Sequence, residues 1–259
     1  TYIWQGCSDA DNDGMRWCVE GPTILRALQN AADEIGFEIV TDEAEIDTCD
    51  VVILVVGEIP YAEWEGDSED MSITGELGLE GNSEAIELAA NSGLPTTTLI
   101  VAGRNVIISD YVDQWDNVIM CYLPGSEGGN ALADILIGNV SPSGKLPFTF
   151  PVKLEDNPAY ALGVYPQVLK EEKDDVFVNL VKKSKGREAE RHLEADYKED
   201  ILVGYRWYDA KDVKVLYPFG HGLSYTTFEY GDMKLSKSSM NENGTIKVTI
   251  PVTNTGAYD

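Results

Sequence analysis

Between Val51 and Asp67 the chain reads VVILVVGEIPYAEWEGD. An apolar run closes at Gly57, and four carboxylates follow, Glu58, Glu63, Glu65 and Asp67, with Tyr61 and Trp64 set among them. Carboxyl groups in differing surroundings can divide proton donation and proton abstraction between them. Aromatic rings beside them offer flat faces for stacking. The combination suits a sugar and the cleavage of a bond to it. Glu63, Glu65, Glu58 and Asp67 are all candidate proton donors, although Glu58, at the strand end, could instead anchor the loop by accepting backbone N–H bonds. The competing reading is an acidic loop that is simply solvated.

The elements that must position these groups are visible as periodicity. An all-apolar run such as Val51–Val56 reads as a central strand buried on both faces of a parallel sheet. Ligand sites in such sheets lie beyond the carboxyl ends of the strands. Residues 22–35 carry apolar side chains at helical spacing, with Pro22 suited to the first turn and Gly36 just past the end. A short strand over 37–40 follows, then a helix over 83–91 with Ser83 as a possible cap and Gly93 at its exit. Strands over 97–102 and 118–123 alternate with helices over 109–115 and 129–137. Alternation with short connections predicts an α/β fold, a three-layer parallel-sheet α/β sandwich. Residues 166–194 are highly charged, without a period of their own, and read as a surface insertion. After Tyr230 the pattern alternates through Met233, Leu235, Ile246, Val248, Ile250 and Val252, as in the first strands of a β-sandwich domain. Domain limits are therefore 1–228 and 229–259.

At 259 residues the chain can bury one full core and a small additional piece. Its formal net charge of −26 argues against nucleic acid and anionic membrane surfaces as partners. Four cysteines fix no compartment. Cys7 and Cys18 flank a short loop and could be bridged, whereas Cys121 lies in an apolar run and reads as a buried free thiol. GSEGG at 125–129 opens a helix but lacks the lysine and spacing of a phosphate cradle. His221 reads as a packed, hydrogen-bonded side chain, and Arg206 could reach an acidic partner. Residues 9–20, DADNDGMRWCVE, fit the calcium-loop pattern through Asp9, Asp11, Asp13, Gly14 and Glu20. Arg16 stands where such loops prefer an apolar residue. An acidic hairpin is the alternative.

Three ordered blocks carry a family resemblance. GEIPYAEWEGD resembles the acid/base loop of glycoside hydrolase family 3, in the β-glucosidase and exo-glycosidase branch. YLPGSEGGNALADILIGNVSPSGKLPFTFP at 122–151 and DILVGYRWYDAKDVKVLYPFGHGLSYTTF at 200–228 agree with it. The resemblance covers most of 1–230, and the region 166–194 departs from it. It implies the second domain of a retaining β-glycosidase, with Glu63, the second glutamate of G-E-x-P-Y-x-E, as general acid/base. Trp4, in YIWQG, and Trp64 become aromatic contacts to the substrate. The nucleophile would lie on a (β/α)8 barrel for which this chain has no room, so the isolated chain is expected to be an inactive half-site acting on a β-linked oligosaccharide or glycoside. The resemblance also implies that 229–259 begin a fibronectin-III-like domain. No cofactor is required, and a structural calcium at Asp9, Asp11, Asp13 and Glu20 stays open. Rival readings are a non-catalytic carbohydrate-binding or scaffold module, a flavodoxin-like nucleotide-binding domain, and a calcium-sensing module.

Thermal melts test the calcium loop, because an ion bound only by the folded state raises its melting temperature. A calcium loop gives a calcium-dependent rise that Asp11→Ala abolishes. An acidic hairpin gives the same melt with and without calcium.

Overall fold

The computed structural model describes residues 21–61, 68, 70–163 and 198–258. Three parallel strands form its centre: β1 (Val52–Gly57), β2 (Thr96–Val101) and β3 (Asn117–Met120), in the order β1-β2-β3. Val52 pairs with Thr96 and Thr97 with Asn117, so the strands end nearly level. β2, not β1, is therefore the middle strand. Its neighbouring side chains Thr98, Leu99 and Ile100 are all fully buried, which means that both faces of β2 are covered. β1 lies at the edge among the described residues, and Val55 keeps 45% of its surface exposed. The apolar run marks a strand but not its place in the sheet. Threonine at 96 and 98 enters the centre because a β-branched side chain packs well on a pleated surface.

Helix α1 (Ile24–Ile35) is capped by Thr23, whose hydroxyl accepts from the Arg26 N–H at 3.1 Å, and ends at Gly36 in the left-handed conformation. Helix α2 (Asn82–Ser92) packs on β1 and ends at Gly93, again left-handed. Its N-cap is Gly81 rather than Ser83. Helix α3 (Gly128–Leu136) packs against α1. A Cβ at Gly129 would stand 2.3 Å from the Pro22 carbonyl oxygen, so the last glycine of GSEGG lets two helix starts meet closely. That is the structural role expected for the motif.

Residues 37–40 form no strand, because no described segment offers them a ladder partner. The turn at 109–115 is a short 3₁₀ segment, Val112–Gln114. β3 stops at Met120, and Tyr122 adopts φ 52° in the left-handed region, ending the strand before Leu123. Beyond the sheet, β4 (Phe150–Pro151) pairs antiparallel with β5 (Val215–Tyr217), and α4 (Pro158–Ala161) and α5 (Tyr205–Lys211) lie between them in sequence. Two more antiparallel pairs close the described chain: β6 (Phe228–Tyr230) with β9 (Val252–Asn254), and β7 (Lys234–Leu235) with β8 (Val248–Thr249).

Asn82 ties β1 to the start of α2. Its side-chain amide donates to the Gly57 carbonyl at 2.8 Å and to the Ile73 carbonyl at 2.7 Å, and its oxygen accepts from the Gly57 N–H at 3.3 Å. Asn82 is buried, so its removal strands polar groups away from water. Asn82→Ala is expected to lower unfolding stability by about 2–4 kcal/mol with the denaturant slope unchanged, as read by urea titration.

Candidate active site

Three connections meet at the carboxyl edge of the sheet, where β1, β2 and β3 end at Gly57, Val101 and Met120. The first of them is the acidic loop. Its strand-side end is fixed by the ladder: the Glu58 N–H donates to the Val101 carbonyl at 3.0 Å and the Ile59 N–H to the Leu77 carbonyl at 2.8 Å. Next, the Tyr61 hydroxyl accepts from the Gly103 N–H at 2.7 Å. A Cβ at position 103 would lie 2.9 Å from that hydroxyl oxygen, so glycine admits the ring at this distance.

The returning end is fixed by the residue beside Gly103. Arg104 donates through Nε and Nη2 to one oxygen of Glu58, Oε1, at 3.0 and 2.8 Å. It also donates through Nη2 to the Asp70 carbonyl at 2.9 Å and through Nη1 to the Ser68 carbonyl at 3.4 Å. Its guanidinium carbon lies 5.7 Å from the centre of the Tyr61 ring. Asp70 continues the turn by accepting the N–H groups of Ser72 and Glu76 on its two oxygens. The segment then joins the connection after β2, where the Ile107 N–H donates to the Met71 carbonyl at 2.7 Å.

Glu58 is thus an anchor, as one of the sequence readings allows, but its partner is the Arg104 side chain rather than a row of backbone N–H groups. Its side chain has no accessible surface. A carboxylate enclosed and ion-paired in this way is not placed to give a proton to a bound sugar. Burial, and after it the hydrogen bonding and charge of the neighbouring Glu58 carboxylate, push the Tyr61 hydroxyl up to about 12. Tyr61 therefore keeps its proton beside the ion pair. Glu63, Trp64, Glu65 and Asp67 lie outside the described residues, as do Trp4, Asp9, Asp11, Asp13, Glu20, Cys7, Cys18 and the region 166–194. Arg104 was not singled out in the sequence. The signal that could have found it is an arginine straight after the strand–glycine junction VAGR at the carboxyl edge.

An aromatic row extends the site. Tyr122 meets Phe148 edge-on at 5.7 Å, Phe148 stacks near Phe150, and Phe150 meets Tyr217, whose other neighbour is His221 at 5.0 Å. His221 packs against Tyr217, but its hydrogen bonds among the described residues run through its backbone and not, as the sequence reading had it, through its side chain. Arg206 lies over the Tyr205 ring. Cys121 is a free thiol, and burial pushes it up to about 12.

Comparison with known proteins agrees with this architecture. The profile of the glycosyl hydrolase family 3 C-terminal domain matches residues 6–225. The chain is 42% identical over 176 residues to β-glucosidase BoGH3A of Bacteroides ovatus, covering 67% of this chain and 20% of that protein. It is 37% identical over 210 residues to β-glucosidase B of Emericella nidulans, covering 80% of this chain and 22% of that one. Among solved structures, a GH3 β-glucosidase of Bifidobacterium adolescentis superposes with a TM-score of 0.68 at 30% identity, over 93% of this chain and 33% of its own. β-Glucosidase 3B of Thermotoga neapolitana, solved with glucose, gives 0.67 at 25% identity, over 94% and 35%. The chain spans only about a fifth to a third of the length of these relatives.

The Tyr61 environment predicts an alkaline signature. Below pH 10 the folded and unfolded chains both hold this proton. Between pH 10 and about 12 the unfolded chain loses it first, so the stability it contributes is present below pH 10 and is lost as the pH rises toward about 12. Tyr61→Phe should remove one tyrosinate from the late phase of an absorbance titration. It should also make the loss of stability over that window less steep.

Proposed function

Because the chain belongs to the glycosyl hydrolase family 3 C-terminal domain family, we propose that it is the acid/base half of a β-glucosidase active site that uses the retaining mechanism. Glu63 protonates the departing oxygen and then activates water. Trp4 and Trp64 stack on the sugar, and the substrate is a β-linked oligosaccharide or glycoside. The observation that carries this reading is the fastening of both flanks of 62–67 to the consecutive residues Gly103 and Arg104 at the carboxyl edge of the sheet. A proton donor must be held within hydrogen-bond reach of the bond that breaks, and fixed flanks at Tyr61 and Ser68 support that role for the carboxylates between them. The names of the relatives support the substrate class, since each is a β-glucosidase.

The chain's small share of those relatives supports the companion proposal that the nucleophile comes from a separate (β/α)8 barrel domain. Retention requires two carboxyl groups about 5–5.5 Å apart across the scissile bond, so the two domains would meet over the sugar. We read 229–259 as the opening strands of a fibronectin-III-like module. Two antiparallel pairs with exposed Tyr230, Leu235 and Val252 support that reading. The calcium assignment to Asp9, Asp11, Asp13 and Glu20 stands as a proposal on its sequence pattern alone.

In the full-length protein, Glu63→Ala is expected to slow substrates with poor leaving groups by about 10²–10⁴-fold and activated aryl glycosides much less. Azide should partly restore turnover by attacking the glycosyl-enzyme in place of activated water. If Glu65→Ala shows this dependence and Glu63→Ala does not, the donor is Glu65.

A further inference from the structure

The Arg104 side chain hydrogen-bonds both flanks of the acidic loop. Its Nε and Nη2 hold Glu58 Oε1 at the start of the loop, and its Nη2 and Nη1 hold the Asp70 and Ser68 carbonyls at the return. Glu58 and Arg104 are 46 residues apart in sequence, and their side chains are 0% and 17% exposed. A buried ion pair of this kind is costly to form and a weak source of stability, but it specifies geometry because neither partner has another suitable position. Glu58 in turn sits on the rigid strand end, between the Val101 carbonyl and the Tyr61 ring. One guanidinium thus connects the sheet to both ends of residues 62–67.

We propose that Arg104, seated on Glu58, is a positioning residue that sets the placement of the general acid/base carried between Tyr61 and Ser68. It touches neither substrate nor reacting atoms and acts through the loop. A planar fork is required, because three acceptors in different directions must be held at once. Lysine offers the charge but concentrates it on a single nitrogen. The inference rests on the assignment of Glu63 as acid/base.

The test uses the full-length glycosidase with Arg104→Met, Arg104→Lys, Glu63→Ala and the Arg104→Met/Glu63→Ala double variant. kcat/KM is measured on aryl glycosides of graded leaving-group ability. Rates are normalised to active sites counted with a fluorinated glycoside that traps the glycosyl-enzyme, so a smaller folded fraction does not affect them. Arg104→Met should lower kcat/KM about 10–100-fold for poor leaving groups, the cost of a misplacement near 1 Å, and change it little for activated ones. Arg104→Lys, the variant used if Met does not fold, should show the same steepened dependence. In the Glu63→Ala background Arg104→Met should add no further loss. An unchanged dependence in both Arg104 variants, a wild-type Lys variant, or losses that multiply in the double variant would each overturn the role of Arg104 while leaving Glu63 as donor. A Glu63→Ala variant with no leaving-group dependence would instead overturn the acid/base assignment, and the Arg104 role with it.

Discussion

The carboxyl edge of this domain depends on one buried ion pair. Glu58 is sealed at the end of β1, and its charge is tolerable there only because Arg104 reaches it from the neighbouring connection. Removing either partner would leave the other as an uncompensated buried charge, which is why such pairs act as geometric locks more than as sources of stability. The same guanidinium also satisfies two carbonyls on the return of the loop. Electrostatic necessity at the strand end thereby becomes mechanical definition of the connection that follows. The rest of the sheet supports this lock from behind: Asn82 grips the Gly57 peptide on both its N–H and its carbonyl, so the strand end itself does not slide.

What the sequence reveals and what it hides divides along the range of the interactions. The body and exit of helix α1 are legible because its periodicity and the left-handed Gly36 are local, whereas its entry is capped by Thr23 and Pro22 lies before the cap, not in the first turn. The exit of α2 at Gly93 is legible for the same reason. Its entry is not, since Asn82 turns inward to serve the sheet and Gly81 takes the cap. Strand order is hidden as well. VVILVV looks more central than TTTLIV, yet Thr96 and Thr98 are buried in the middle strand while Val55 lies open. Which strand sits between which is a long-range fact, and hydropathy does not record it. The Glu58–Arg104 pair is hidden for the same reason, because nothing local links residues 46 positions apart. The acid/base candidate was legible only through the ordered blocks at 57–67, 122–151 and 200–228, because four carboxylates in ten positions do not rank themselves.

The C-terminal strands illustrate the opposite case, in which local pattern is clear and burial is not achieved. β6, β7, β8 and β9 pair as alternation suggests, but Phe228, Tyr230, Met233, Leu235, Val248 and Val252 are all at least half exposed. Two-stranded pairs have one ladder and little area to bury, so they are marginal in isolation. Their attachment runs through Thr226 and Thr227, which bond to Asn254 and Thr255. Beside those bonds Tyr225 meets Tyr258 at 5.9 Å, so polar and aromatic contacts share this seam, whereas Leu99 and Ile100 lie in the fully buried interior of the sheet.

The fastening of Tyr61 and Ser68 to adjacent residues also has an evolutionary consequence. Because Gly103 and Arg104 are neighbours in the chain, Tyr61 and Ser68, the two ends of this connection, are held over almost the same point of the sheet. Such a connection behaves as a cassette. Its composition can drift, or be exchanged wholesale between lineages, without changing strand register or helix packing, provided that the two ports and their arginine stay in place. Selection on chemistry and selection on folding are then largely separated within one short stretch of chain.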